Sequence, residues 1–253
     1  MSSIAISLLT LFCLAGGFLL GLWLQKRLPG HHLSEKAEST VKLGAGMVAT
    51  MSALILGLLV SSAKSSFDAV NVAIAQNGAR IIQLDHLLAE YGPETRAIRD
   101  QLKSSVAERV QTIWGQPATG SSGLHTATKS TAMLDLQASL RALTPQNDGQ
   151  KSVLNQCLQI ATEMWQSRLL ILEEQQEPLP VVFLVVLIFW LALLFLSFGL
   201  FAPRNTTVFA VLLVCALSVA SAVFLILEMN HPLDGSIQVS SAPLIKALEL
   251  IGQ

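Results

Sequence analysis

The sequence predicts an all-α integral membrane protein with four transmembrane helices and a helical bundle inserted between the second and third spans. Hydrophobic residues make up 52% and charged residues 13% of the 253 positions, and the mean hydropathy is +0.56, whereas roughly a quarter of residues in soluble domains are charged. Four uncharged runs are each long enough to cross about 30 Å of hydrocarbon. Between the second and third runs, apolar residues recur every three or four positions, which is typical of amphipathic helices.

These runs give the spans and the domain boundaries. The predicted spans are, in chain order, residues 4–24, 43–63, 179–202 and 206–227. The predicted regions are a transmembrane hairpin at 1–63, an extramembrane helical bundle at 64–178, a second transmembrane hairpin at 179–229 and a tail at 230–253. The first hairpin turns at Pro29-Gly30, and the second turns at Pro203-Arg204-Asn205.

The second span carries small and polar side chains that a lipid environment alone does not require. We call this set the small-residue stripe, and its members are Gly46, Thr50, Ala53, Gly57, Ser61 and Lys64. Small residues let neighbouring membrane helices pack closely, with hydroxyls bonding across the contact. The same stripe would suit the wall of an aqueous path in an oligomer, where polar groups meet water or ions. Both interpretations remain open from the sequence.

Two further features of the spans predict contacts. Gly17 and Gly21 have GxxxG spacing in the first span, which favours a packed face. Lys64 and Glu228 follow the second and fourth spans, which run in the same direction, so they are candidates for an ion pair. The alternative is that each charged group extends separately to the membrane interface.

Beyond the second span, the apolar pattern continues as a heptad seam. Its members are Phe67, Val70, Ile74, Asn77, Ile81, Leu84 and Leu88. The pattern predicts one helix that leaves the membrane, continues to Glu90 and ends at Tyr91-Gly92-Pro93. A kink or a register-setting contact is expected at Asn77-Gly78. The seam and the small-residue faces of the first two spans together predict a homo-oligomer.

Three more bundle helices and a tail helix follow, each with one apolar face. The tail helix has Ser241 as its cap and Pro243 in its first turn, and it would either lie on the membrane or dock on the bundle. Positive charges at Lys26, Arg27, Lys36, Lys42 and Arg204 place the two hairpin turns in the cytoplasm by the positive-inside rule. The bundle and both termini would then lie on the other side.

Several function classes find no support in the sequence. A net charge of −1 without a clustered basic face argues against nucleic-acid binding. His31 and His32 are adjacent on a turn and do not converge on one metal ion, and the three cysteines, expected to be buried thiols, have no zinc or disulfide spacing. No catalytic triad, phosphate loop or pair of intramembrane carboxylates is present. We therefore predict no catalytic residues, no metal, no cofactor and no enzyme activity.

Four long runs carry a family resemblance: LPGHHLSEKAESTVKLGAGMVATMSALILGLLVSSAKSSFD, LDHLLAEYGPETRAIRDQLK, LIFWLALLFLSFGLFAPRN and FLILEMNHPLDGSIQVSSAPL. They resemble the bacterial bestrophin-like domain family of unknown function over nearly the whole chain. The resemblance implies a multi-pass protein of the bacterial inner (plasma) membrane, likened to the pentameric bestrophin anion channels, which also have four spans. In bestrophins the region between the second and third spans is cytoplasmic, which conflicts with the orientation from charge.

The resemblance implies an oligomer that conducts small anions, with the second span lining the pore. Bestrophins line that pore with a phenylalanine-containing neck, whereas this span offers the small-residue stripe. Only Glu228 and Asp234 follow the fourth span in place of the bestrophin calcium clasp, so calcium gating is not expected. The alternative is a non-conducting membrane scaffold or sensor whose bundle binds a partner. A polar stripe facing a pore favours the channel, and a packed stripe with an open apolar groove on the bundle favours the scaffold.

Overall fold

A computed structural model describes residues 2–29, 35–115, 132–176, 181–203, 205–233 and 235–252, and regular structure within them is helical. The helices are α1 (Ser3–Arg27), α2 (Glu35–Tyr91), α3 (Arg96–Trp114), α4 (Ala132–Arg141), α5 (Asp148–Gln176), α6 (Val181–Phe201), α7 (Thr206–Met229) and α8 (Ala242–Leu250), with a 3-10 turn at Pro93–Thr95. The predicted turn residues Gly30, His31, His32 and Arg204 lie outside the described residues.

Four of these helices, α1, α2, α6 and α7, are long and apolar enough to cross a membrane. The predicted all-helical fold with four apolar helices is therefore confirmed. Both α1 and α2 extend beyond the uncharged runs, and α2 continues into the amphipathic pattern that follows its run.

The chain divides into two compact units. Unit 1 comprises Met1–Ser65 and Pro178–Asn230, and unit 2 comprises Ser66–Glu177 and His231–Gln253. Helix α2, with 57 residues, contributes to both units. The tail thus belongs to the same unit as the bundle helices.

In unit 1, glycines bring the backbones of α1 and α6 together. A Cβ atom added at Gly17 would lie 2.6 Å from the carbonyl oxygen of Ala192, and one added at Gly21 would overlap the backbone of Leu196. From the other side, a Cβ at Gly199 would overlap the carbonyl oxygen of Phe18. The packed face predicted from the GxxxG spacing is therefore confirmed, and its partner is α6.

Helix α2 joins unit 1 through the second half of its span. Leu59 and Ala63 are buried in a cluster with Leu187 of α6 and Ile226 of α7. The first half of the span, in contrast, borders a cavity that is described below.

Unit 2 buries most of the heptad seam within the chain. Val70, Ile74, Ile81, Leu84 and Leu88 belong to one core cluster together with residues of α3, α4, α5 and the tail, and Phe67 packs against it. Asn77 is also buried. The seam therefore has a partner in its own chain, and these buried positions offer no surface to a second copy.

The end of α2 lies where the sequence predicts it, within one residue. The helix ends at Tyr91, and Gly92 adopts φ +143°, a left-handed conformation that favours glycine. The Thr95 hydroxyl then lies 2.5 Å from the carbonyl oxygen of Leu88 and 2.7 Å from that of Gly92, which share its single proton. This tight turn starts α3 and brings it back along α2.

Helix α2 is continuous through Gly78. A Cβ at Gly78 would lie 2.8 Å from the carbonyl oxygen of Pro243, at the start of α8. A close contact, one of the two outcomes that the sequence left open, is therefore observed at this point. The absence of a side chain at Gly78 lets α8 approach closely.

The tail docks on the bundle helices. Trp114 Nε1 donates to the carbonyl oxygen of Val239 at 2.9 Å, and Lys103 Nζ donates to that of Ile251 at 3.1 Å. The backbone N–H of Gly252 donates to Asp85 Oδ2 at 3.1 Å. Of the two positions that the sequence left open, the structure thus shows α8 docked on the bundle helices.

The three thiols differ from the expectation that all are buried. Cys157 is buried in unit 2, but Cys13 is partly exposed and Cys215 is exposed on α7. The expectation is wrong for Cys215, because it lies on a face of α7 that no other described residue covers.

Candidate functional site on the second span

The candidate site is the small-residue stripe on α2, all six of whose members are exposed. A Cβ added at Gly46 or at Gly57 would meet nothing within 4 Å, in contrast to the close contacts at Gly17 and Gly21 of α1. Packing within the described part of this chain therefore does not account for the stripe.

Helix geometry separates the stripe from the packed face of the same span. The packed face is centred on Ser52, Leu59 and Ala63, which are buried. At about 100° per residue, the stripe is centred roughly 140° around the helix from these residues. The span thus has one face packed against its own chain and a nearly opposite face that the described part of the chain leaves uncovered.

Bulky side chains border the stripe on one side. Met47, Met51, Leu54 and Leu58 are all exposed, with 53–71% of each side chain accessible. Apolar side chains of this kind suit lipid or a neighbouring subunit, whereas small residues suit a close approach or an open path. The exposed surface of the span is therefore divided into a bulky part and a narrow part.

The stripe offers space and few polar groups. The Thr50 hydroxyl donates to the carbonyl oxygen of Met47 at 2.8 Å, so its own helix satisfies the donor. Its remaining lone pairs can accept hydrogen bonds. Lys64, the only charged member, lies at the end of the stripe and is exposed.

Lys64 and Glu228 both belong to unit 1, but their environments differ. Glu228 is buried, with 5% of its surface accessible, whereas Lys64 is exposed. Each has an interaction partner in the structure. The ion pair between the two residues stays a prediction.

A buried ion pair in unit 2 was missed by reading the sequence. Arg99 Nε and Nη2 donate to the two carboxylate oxygens of Asp85 at 2.7 and 2.8 Å. Burial raises the pKa of Asp85, but the hydrogen bonds from Arg99 and Gly252 and the charge of Arg99 outweigh this effect, so the pKa is lowered. A signal was available, because a helical hairpin folded at Gly92 brings residues seven positions before and after that turn to the same level.

Arginines of α2 and α3 each lie close to polar or charged residues of α5 in unit 2. Arg80 Nη1 donates to the Ser167 hydroxyl at 2.6 Å, and Arg80 Nε lies 3.3 Å from Glu163 Oε2. Burial and the nearby charge of Arg168 lower the pKa of Arg109 to about 10. No local sequence pattern predicts these interactions, since the residues lie far apart along the chain.

The described residues contain no group of three or more histidine, cysteine or acidic side chains that could hold a metal ion. The histidine pair considered from the sequence lies outside the described residues.

The exposed stripe is therefore the feature of the described residues that calls for a functional explanation.

Together, the four apolar helices and the uncovered stripe define a class, namely helical proteins with the features of a multi-pass membrane protein. The chain belongs to the bestrophin-like family: the model of the bestrophin-like domain matches residues 12–244. No curated protein and no solved structure matches the sequence significantly.

Proposed function

We propose that the chain is the subunit of a homo-oligomeric membrane channel for small anions, with the small-residue stripe of α2 lining the pore. The observation that carries the proposal is the exposure of the whole stripe on the face of α2 nearly opposite its packed face. Membership of the bestrophin-like family supports it. The site of action would be the plasma membrane of a bacterium.

A single chain cannot enclose a path with one helix face, so the proposal requires several copies. Hydroxyl and ammonium groups within a span are costly to leave in lipid, and they usually face protein or a water-filled cavity. Placing the stripe of each copy around a common axis would give Thr50 and Ser61 that environment. The heptad seam is buried within unit 2, so the proposal of an oligomer rests on α2 and not on the seam.

Lys64 would supply the selectivity. One lysine per subunit at the end of the stripe forms a ring of positive charge, which raises the local concentration of anions and opposes cations. The stripe would also make the pore wider, because Gly46 and Gly57 have open space around them.

The test is conduction by the purified protein in planar bilayers. The proposal predicts chloride currents, and Lys64→Glu should shift the reversal potential towards that of cations. Lys246→Glu is a matched control, since it changes the net charge equally at an exposed position of α8. A shift of equal size in both variants would refute the role of Lys64.

The alternative function, a non-conducting scaffold or sensor, predicts no current from intact oligomers under any voltage or pH. Absence of current above that of empty bilayers, with the oligomer confirmed by its mass, would overturn the channel and leave the alternative. Current recording and mass measurement on the same preparation of the protein therefore distinguish the two proposals.

A further inference from the structure

A cavity of about 560 Å³ lies in unit 1 between the first half of the α2 span and the hairpin of α6 and α7. Its volume falls within the roughly 300–1,000 Å³ of small-molecule sites. Ala49 of α2, Phe198 of α6 and Val211 of α7 are among its walls, and Lys42 and Thr207 lie at the first turns of their spans. The cavity is thus an apolar groove with its cation at one end.

The α2 residues that line the cavity fall within the depth of one leaflet of a bilayer. From Lys42 to Ala49, α2 rises about 10 Å at 1.5 Å per residue. Half of a hydrocarbon core of about 30 Å is about 15 Å. Lys42 would therefore lie at the level of the lipid headgroups, while Ala49, Phe198 and Val211 lie at the level of acyl chains.

The charge at this end of unit 1 favours an anionic ligand. The described residues of this end include four cations and two carboxylates. The cations are Lys26, Arg27, Lys36 and Lys42, and the carboxylates are Glu35 and Glu38. Lys42 Nζ lies 2.6 Å from Glu38 Oε1, and 66% of the lysine side chain is accessible. An exposed pair of this spacing on a helix is worth only about 0.3–0.5 kcal/mol, so a phosphate can compete for the ammonium group.

We propose that this cavity binds one acyl chain of an anionic phospholipid, whose phosphate contacts Lys42. The apolar walls take the acyl chain, because they offer it protein contacts on three sides. The ammonium group of Lys42 distinguishes an anionic headgroup from a zwitterionic one. The cavity borders the stripe at Gly46, whereas Thr50, Ala53, Gly57, Ser61 and Lys64 do not line it.

Native mass spectrometry of the full-length protein tests the proposal, after incubation in detergent with palmitoyl-oleoyl phosphatidylglycerol or phosphatidylcholine. We expect retention of one phosphatidylglycerol per chain, in excess over phosphatidylcholine. Lys42→Gln should reduce this retention about fivefold, because one basic residue near an anionic surface is worth about 1 kcal/mol. Lys36→Gln, an exposed lysine of the same helix that does not line the cavity, should reduce retention by less than Lys42→Gln does, and an equal loss in both variants would contradict a contact at Lys42.

A second pair of variants tests the cavity itself. Ala49→Phe should fill the groove and abolish retention of either lipid at this site, whereas Ala210→Phe, exposed at a similar depth on α7 and outside the cavity, should not. Unchanged helix content by circular dichroism establishes that Ala49→Phe is folded, and Lys42→Gln provides the test if it is not.

Three outcomes would overturn the proposal. Equal retention of the two lipids would mean that the headgroup is not recognised. Unchanged retention in folded Ala49→Phe would mean that the lipid lies elsewhere on the surface. Loss of the oligomer in Ala49→Phe, with no lipid retained by the parent chain, would mean that a second copy occupies the groove.

Discussion

Removing the Asp85 carboxylate should destabilise unit 2 strongly, because Asp85 connects three parts of it. The residue is 2% exposed, and it accepts two hydrogen bonds from Arg99 and one from the N–H of Gly252. Breaking a buried ion pair by removing one partner costs about 3–5 kcal/mol. Since the Arg99 side chain remains 22% exposed and can regain some water, we expect a loss of about 3 kcal/mol for Asp85→Ala.

The measurement is thermal unfolding of the full-length protein in a mild detergent, followed by tryptophan fluorescence. Each kcal/mol corresponds to about 2–4 °C for chains of 150–250 residues, so Asp85→Ala should lower Tm by about 6–12 °C. Asp135→Ala, exposed on α4, is the control and should change stability by no more than about 0.5 kcal/mol.

A double variant separates the ion pair from other effects of the substitution. If Arg99 is destabilising once its partner is gone, Asp85→Ala combined with Arg99→Leu should be more stable than Asp85→Ala alone. Equal Tm values for Asp85→Ala and the Asp135 control, or strictly additive losses in the double variant, would refute the reasoning.

Three further predictions follow from the packing, charge and topology of the chain. Because the folded-state pKa of Asp85 is lowered, the stabilising contribution of its charge is present above the unfolded value of about 3.9 and is lost as the pH falls through the folded value. The Tm difference between the parent and Asp85→Ala should therefore shrink in strong acid, and a constant difference would contradict this. Gly199→Ala should lower Tm through an overlap worth about 1–3 kcal/mol, whereas Gly16→Ala, with nothing within 4 Å, should be neutral or stabilising, and equal effects would count against the α1–α6 contact. Ser121→Cys, at a position outside the described residues, should react with an impermeant thiol reagent in intact cells if the bundle lies outside the cytoplasm; labelling only after lysis would support the bestrophin-like orientation.

Local sequence signals predict the helices and their ends well. Helix α2 ends one residue beyond Glu90 because Gly92 readily adopts a positive φ and Pro93 cannot continue a helix, and both effects are local. The position of the tail could not be predicted from the sequence, because it depends on contacts between residues that are far apart in the chain. Gly252 reaches Asp85 across 167 positions of sequence, and an amphipathic helix buries its apolar face equally well on a membrane or on a protein.

The glycines of the first two spans show why site prediction is harder than fold prediction. Gly17 and Gly21 are in close contact with α6, whereas Gly46 and Gly57 face open space. All four are small residues in apolar runs, and their spacing predicts a narrow face in each case. Which face meets a neighbour depends on contacts elsewhere in the fold, here the burial of Leu59 on the opposite side of α2.

The most direct measurement of the central claim is whether the stripe lines a conducting path. In a chain whose Cys13, Cys157 and Cys215 are replaced by serine, Gly57→Cys is placed on the stripe, and Leu58→Cys on the adjacent bulky face, where Leu58 is 70% exposed. An anionic methanethiosulfonate reagent added during bilayer recording should reduce the chloride current of Gly57→Cys and leave that of Leu58→Cys unchanged. Equal responses of the two variants, or modification of Leu58→Cys alone, would contradict a pore lined by the small-residue stripe.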